Sequence, residues 1–198
     1  MNTPDSAHAT VKVWDPLLRI FHWTLVAAFV VAYVTGDEWE RFHIWAGYLI
    51  MGLLLFRLVW GFVGPKHARF ADFLYSPSEI LAYLKALPTG KAKRYLGHNP
   101  AGGAMVFLLL ASLAATTLTG LAMDEQLFSS PSTASVHWFE EDEEGEELWE
   151  EIHEFFANFT LLLVLLHIAG VIVSSRLHDE NLVRAMITGR KPVHPDNK

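Results

Sequence analysis

The chain has 198 residues, 52% of them hydrophobic and 19% charged, with a formal net charge of −7. Its apolar residues fall in blocks and include 13 Phe and 7 Trp, which marks an integral membrane protein of a single domain, residues 1–198, rather than a water-soluble one. Cysteine is absent, which excludes disulfides, thiolate-held iron–sulfur clusters and covalently attached c-type haem.

The first predicted span runs from Leu17 to Thr35, behind a polar tail that carries Lys12. It reads as a retained anchor and not a cleaved leader. The apolar run continues past Tyr33 to Gly36 without a small-x-small cleavage site, and cutting there would discard His22. The second span is Phe42 to Val63. Ser76-Pro77-Ser78-Glu79 then has the form of a helix start: an N-cap serine, proline at the first helical position and glutamate placed for a capping box. Ile80, Leu81, Tyr83, Leu84 and Leu87 follow on one face. The third span is Gly102 to Met123, an acidic segment occupies 124–152, and the fourth span is His153 to Ser175. A second short amphipathic helix, Asn181 to Thr188, carries Leu182, Val183, Met186 and Ile187 and ends at Gly189. Each span has the roughly 20 residues needed to cross a bilayer. The expected fold is therefore all-α: an integral membrane four-helix bundle with two short cytoplasmic surface helices that cover its floor.

Lysine and arginine set the orientation, because they accumulate on the cytoplasmic side. Lys66, Arg69, Lys85, Lys91, Lys93 and Arg94 lie between the second and third spans, and Arg176, Arg184, Arg190, Lys191 and Lys198 follow the fourth. The segment between the first two spans has only Arg41, and that between the third and fourth has neither residue. A multi-pass protein of a bacterial inner membrane is expected, with both termini in the cytoplasm and loop 124–152 in the periplasm.

Four histidines carry the chemistry. His153 and His167 lie fourteen residues apart on one span, an advance of about 21 Å and nearly four turns, so both imidazoles leave the same face near opposite surfaces. In the topology above, His43 starts a span that enters from outside and His22 starts one that enters from the cytoplasm. The level pairs are thus His43 with His153 and His22 with His167. Each pair could supply both axial ligands of a non-covalent, b-type haem, and Gly47 and Gly170 lie within a turn of a ligand, where a flat ring needs room. Metal binding or proton transport by membrane histidines stays open on pattern alone.

The chain resembles the bacterial cytochrome b561 and nickel–iron hydrogenase b-type cytochrome family. The likeness runs through Val13-Trp14-Asp15-Pro16, Arg19-Ile20-Phe21-His22-Trp23, Phe42-His43-Ile44-Trp45-Ala46-Gly47-Tyr48, Gly97-His98-Asn99-Pro100-Ala101-Gly102-Gly103 and Glu180-Asn181-Leu182-Val183-Arg184-Ala185-Met186-Ile187-Thr188-Gly189. The resemblance implies a four-helix membrane bundle with two haem b groups that moves electrons between a quinone pool and a redox partner. It also implies bis-histidine ligation, which falls on His22, His43, His153 and His167.

Arg57 is the odd charge in the second span, fourteen residues after His43 and so near the depth of the inner pair. A guanidinium at mid-bilayer costs about 2.5–3.5 kcal/mol, and a haem propionate is a natural partner for it. Arg19, one turn before His22, could serve likewise. The alternative for both is anchoring at the cytoplasmic edge. His98 could line a quinone pocket or meet a propionate, although Asn-Pro after it is a turn signal and a structural cap suits it equally. His8, His67, His178 and His194 lie in tails or at the cytoplasmic edge, and His137 is a reserve ligand should His153 prove too exposed.

From Asp124 to Glu154 the chain holds 12 of its 22 acidic residues, including Glu140, Glu141, Asp142, Glu143, Glu144, Glu146 and Glu147, with Trp138, Phe139 and Trp149 among them. Such a run is either a solvated face or a docking surface that steers a cationic partner such as a basic-rimmed periplasmic c-type cytochrome. The expected function is electron transfer between quinone or quinol and a periplasmic cytochrome or reductase subunit. The alternatives are a superoxide:quinone oxidoreductase, which an acidic external face disfavours because superoxide is an anion, and the membrane anchor of a hydrogenase- or reductase-type complex. The lipid bilayer is the other partner, and no nucleic acid is expected.

Overall fold

The computed structural model describes residues 10–36, 39–123 and 143–193, with side chains for all of these except 143–146. The four long helices contain the apolar runs that hydropathy picked out as spans. α1 is Pro16–Thr35, α2 Glu40–Val63, α3 Pro77–Ala86, α4 Pro100–Ala122, α5 Glu143–Leu177 and α6 Leu182–Thr188. Four of them, α1, α2, α4 and α5, are long and apolar enough to cross a membrane, and only 11–22% of each spanning window is buried within the protein. The outward apolar surface is therefore matched to lipid, and the chain is a multi-pass membrane protein of all-α class.

Local chemistry fixes the ends of these helices. Asp15 Oδ1 accepts from Leu18 N at 3.1 Å ahead of Pro16, and Asn99 Oδ1 accepts from Gly102 N at 2.7 Å ahead of Pro100. At α3 the capping box is complete: Ser76 N donates to Glu79 Oε2 at 2.8 Å and Glu79 N to Ser76 Oγ at 3.3 Å. Glu79, held by these bonds from Ser76, titrates below the usual carboxylate range. Asn181 caps α6 in the same manner, accepting from Arg184 N at 2.7 Å, and Gly189 closes it at φ +78°, a conformation that suits glycine.

One expectation needs correction. The fourth span was placed at His153 to Ser175, after a loop over 124–152, but α5 begins ten residues earlier at Glu143. Glutamate is a good helix former and its charge suits a helix N-terminus, so a run that hydropathy reads as loop extends the helix beyond the apolar segment. Both short helices form: Tyr83 and Ala185 turn inward, Ile80, Leu87, Leu182 and Met186 are half-buried, and Leu81, Leu84, Val183 and Ile187 are exposed.

Sequence pattern did not announce a two-stranded antiparallel clasp. β1 (Thr10–Lys12) pairs with β2 (Arg190–Pro192), Val11 opposite Lys191, and Val13 N and Trp14 N both donate to Gly189 O, at 2.8 and 3.2 Å.

The chain divides into two compact units. Unit 1 comprises the described residues 10–24, 56–106 and 166–193, and its core holds Trp14, Leu18, Phe21, Phe73, Tyr83 and Ala185. Unit 2 comprises residues 25–36, 39–55, 107–123 and 143–165 of the remaining helix lengths. Its core is Ala28, Ile50 and Leu113 with Leu25, Phe29, Ala32 and Leu54 packed around them. There α4 and α5 are also joined by a buried hydroxyl pair, Ser112 Oγ and Thr160 Oγ1 at 2.6 Å, where small residues let helix backbones approach.

Candidate haem-binding sites

In unit 2, α2 contributes His43 and α5 contributes His153. The ring centroids lie 5.9 Å apart at 74°. His43 Nδ1 donates to the main-chain oxygen of Ala32 at 2.8 Å, and His153 Nδ1 donates to that of Thr116 at 2.9 Å with Thr119 Oγ1 at 3.2 Å. A carbonyl can only accept, so these bonds assign the proton of each ring to Nδ1 and leave each Nε2 with its lone pair free for a metal. Gly120 makes the second imidazole possible. A Cβ there would stand 2.9 Å from His153 Cε1, closer than packed atoms come.

Unit 1 brings His22 of α1 and His167 of α5 close enough to interact electrostatically. Here the bonding differs, since His22 Nδ1 is buried with no hydrogen-bond partner. Arg57 is 2% exposed, its guanidinium 4.6 Å from the Phe70 ring centroid and 5.9 Å from that of Phe73, and one Nη is buried without a partner. The nearby carboxylate, Asp15, accepts from Leu18 N and from Trp60 Nε1, the latter at 3.4 Å, and makes no ion pair with Arg57. Arg19 sends Nη1 to the Ile187 main-chain oxygen at the end of α6, which is an anchoring role, while its Nε remains unpartnered.

His98 sits between Trp14 and Phe73, with centroids at 4.8 and 4.5 Å, and its main-chain oxygen accepts from Tyr75 OH at 3.0 Å. Asn99 does the capping of α4, so His98 is a packed residue whose Nδ1 is shut away without a partner. Burial pushes its pKa down to about 3, with the cationic surroundings of Arg57 and Lys191, and His167 and His67, acting in the same direction.

Sequence reasoning missed two groups in unit 1. His67 Nδ1 meets Asp72 Oδ2 at 2.8 Å, tucked over Gly97. Glu180 is buried between Arg94 and Lys191; it pairs closely with Arg94, and Lys191 Nζ lies 3.4 Å from its other oxygen and donates to Tyr95 O at 3.2 Å. Burial pushes the Lys191 ammonium pKa down while Glu180 pulls it back up. The Glu180-Asn181-Leu182 motif was visible in the sequence, but nothing local told that its acid is turned inward toward residues 86 and 11 positions away. Of the residues expected to dock a partner, Glu140, Glu141 and Asp142 lie outside the described residues, as do His8, His137 and His194. Glu143, Glu144 and Glu146 lie in the first turns of α5, and Glu147 there is exposed.

The donor set suits haem. Among the described residues no group of three or more His, Cys, Asp or Glu side chains gathers to hold a bare metal ion. A bare divalent cation would lack ligands at a pair of imidazoles, whereas haem brings its own in-plane nitrogens and asks the protein for axial ligands alone. Gly47 and Gly170 face open space, with no atom within 4 Å of a built Cβ, so neither blocks a planar ring.

Four membrane-spanning helices that carry paired histidines and no cysteine define the class, a membrane b-type cytochrome that takes part in electron transfer. Comparison with known proteins agrees: the family model described as prokaryotic cytochrome b561 matches residues 13–189, and the chain belongs to that family. Curated relatives share its length at low identity. A probable Ni/Fe-hydrogenase B-type cytochrome subunit of Rhodobacter capsulatus is 22% identical over 94% of this chain and 83% of its own, and that of Cupriavidus necator 25% identical over 89% and 85%. The subunit of Azotobacter vinelandii is 30% identical over 57% of this chain, a match that spans 59% of the relative's length. No solved structure matches the chain significantly.

Proposed function

We propose that the chain is a dihaem electron carrier, with one haem b held by His43 and His153 and another by His22 and His167, that links the quinone pool to a redox partner outside the membrane. The observation that carries this reading is the His43–His153 pair, whose Nδ1 atoms are both fixed by main-chain carbonyls so that both Nε2 atoms are free to ligate. His43 and His153, and His22 and His167, would hold the haems, which would supply one-electron redox chemistry when bound. The chain's own residues then orient, charge and dry the sites. Ala32 and Thr116 hold the imidazoles in register, Arg57 offers an unpartnered buried donor for an anionic haem substituent, and apolar helices exclude water.

Orientation follows the charge. Apart from Arg41, every described Lys and Arg belongs to unit 1, including Lys66, Arg69, Lys85, Lys91, Lys93, Arg184 and Arg190, so we assign unit 1 to the cytoplasmic side of a bacterial inner membrane, with both termini there. Unit 2, where α5 begins with glutamates, then receives the external partner, a cationic c-type cytochrome or the catalytic subunit of a reductase-type complex. The second form is favoured by the curated relatives, each named as a hydrogenase cytochrome subunit. Purification from native membranes with haem quantified per chain tests the reading: two non-covalent haems, one of which disappears in His43→Ala and in His153→Ala, support it. A single haem, or two that survive both substitutions, would refute it.

A further inference from the structure

The two histidine pairs are supported differently, and the difference bears on where an electron rests. In unit 2 each ligand's Nδ1 proton is given to a main-chain carbonyl, Ala32 O at 2.8 Å and Thr116 O at 2.9 Å, with Thr119 Oγ1 a further acceptor for His153. Such a bond makes the imidazole a stronger donor through Nε2, which stabilises the oxidised, more positive metal. The charged residues described in that unit add to this, since Glu40, Glu147, Glu150, Glu151 and Glu154 face a single cation, Arg41.

Unit 1 has the opposite character. His22 Nδ1 is buried with no acceptor, so that ligand is the weaker donor. Arg57 is 2% exposed and makes no ion pair among the described residues, and a buried positive charge, poorly screened where water is excluded, stabilises the reduced state of a neighbouring metal. The rings of Phe21 and Phe56, next in sequence to His22 and Arg57, lie 6.1 Å apart, which brings α1 and α2 together beside the guanidinium.

Resting on the two-haem reading above, we infer that the His22/His167 site is the higher-potential of the two and the His43/His153 site the lower, with Arg57 and the Nδ1 bonds of unit 2 setting the order. An electron shared between the sites resides in unit 1. Arg57 is a positioning charge in this scheme and not a ligand.

Redox titration of the purified full-length protein, followed in the haem α-band, tests this. The wild type should titrate in two one-electron steps. Arg57→Gln should lower the midpoint of the higher step and leave the lower one in place, and Arg57→Lys, which keeps the charge, should restore it. Thr119→Val, which removes an acceptor from His153, should raise the lower step alone. Two haems that titrate together in the wild type, or an Arg57→Gln shift confined to the lower step or absent, would overturn the order while leaving the two-haem reading intact. If Arg57→Gln fails to load haem, the Thr119→Val shift decides: a rise in the higher step overturns the inference and a rise in the lower one supports it. One haem per chain in the wild type would instead overturn the reading on which the inference rests.

Discussion

His153 lies against α4 at a position where α4 has no side chain: a Cβ on Gly120 would come within 2.9 Å of the imidazole Cε1 and 3.2 Å of Nδ1. The same ring's Nδ1 bonds to the Thr116 carbonyl one turn earlier, so the glycine and the carbonyl together fix the ligand's position. Gly120→Val should therefore displace the ring and abolish the haem signal of unit 2 while the other persists. Gly120→Ala, which needs a shift of a few tenths of an ångström, should weaken it. Reduced-minus-oxidised spectra of membranes from both variants measure this; a full two-haem spectrum in Gly120→Val would show that His153 does not need this contact.

The buried cluster of Arg94, Glu180 and Lys191 predicts a second effect. Glu180 and Lys191 side chains are 3% and 4% exposed, and Lys191 belongs to β2, so the cluster fastens the terminal clasp. Glu180→Gln keeps the volume and removes the only acid, leaving two cations facing one another. Removing one partner of a buried pair costs about 3–5 kcal/mol. Thermal unfolding in detergent should shift downward accordingly, and the added change Lys191→Met should recover part of the loss, the non-additivity expected of contacting residues. Equal melting temperatures for wild type and Glu180→Gln would mean the cluster contributes nothing.

These residues divide what the sequence could tell from what it could not. The spans were legible because lipid selects continuous apolar runs, and the caps at Ser76 and Asn181 because capping is local. His43 and His153 could be matched by depth because helical rise is constant. Gly120 could not be read, since its meaning lies in a neighbouring helix and glycine is common in spans. Neither could the clasp: three-residue strands have no periodicity, and the Arg190–Thr10 contact joins residues 180 positions apart. The start of α5 was misplaced for a different reason. Hydropathy measures affinity for lipid, whereas glutamates continue a helix into water.

The proposal that the acidic run docks a partner makes a kinetic demand. If residues 140–147 steer a cationic partner, replacing their glutamates by glutamine should slow electron exchange with a basic c-type cytochrome about ten-fold or more at low ionic strength, because steering acts on the encounter rate. The wild-type rate should fall steeply as salt rises, and the variant's should barely change. Stopped-flow measurements at several salt concentrations distinguish this from a merely solvated segment, for which the two proteins would have the same rate at every concentration.

His98 gives unit 1 a pH dependence whose sign is fixed by burial. Its pKa in the folded protein is about 3, against about 6.5 in an unfolded chain. Between those values the unfolded state binds the extra proton, so stability is fully present above about pH 6.5 and is lost as the pH falls toward 3. At pH 5 one such group removes about 2 kcal/mol. Melting temperatures of the wild type should accordingly drop between pH 7 and pH 5, and His98→Gln, which cannot take up the proton, should show a flatter profile over that interval. Glu79 does not produce the same slope, because, held below its ordinary range by Ser76, it changes protonation only at more acidic pH. Parallel profiles for the two proteins would assign the acid sensitivity to another group and remove His98 from the account.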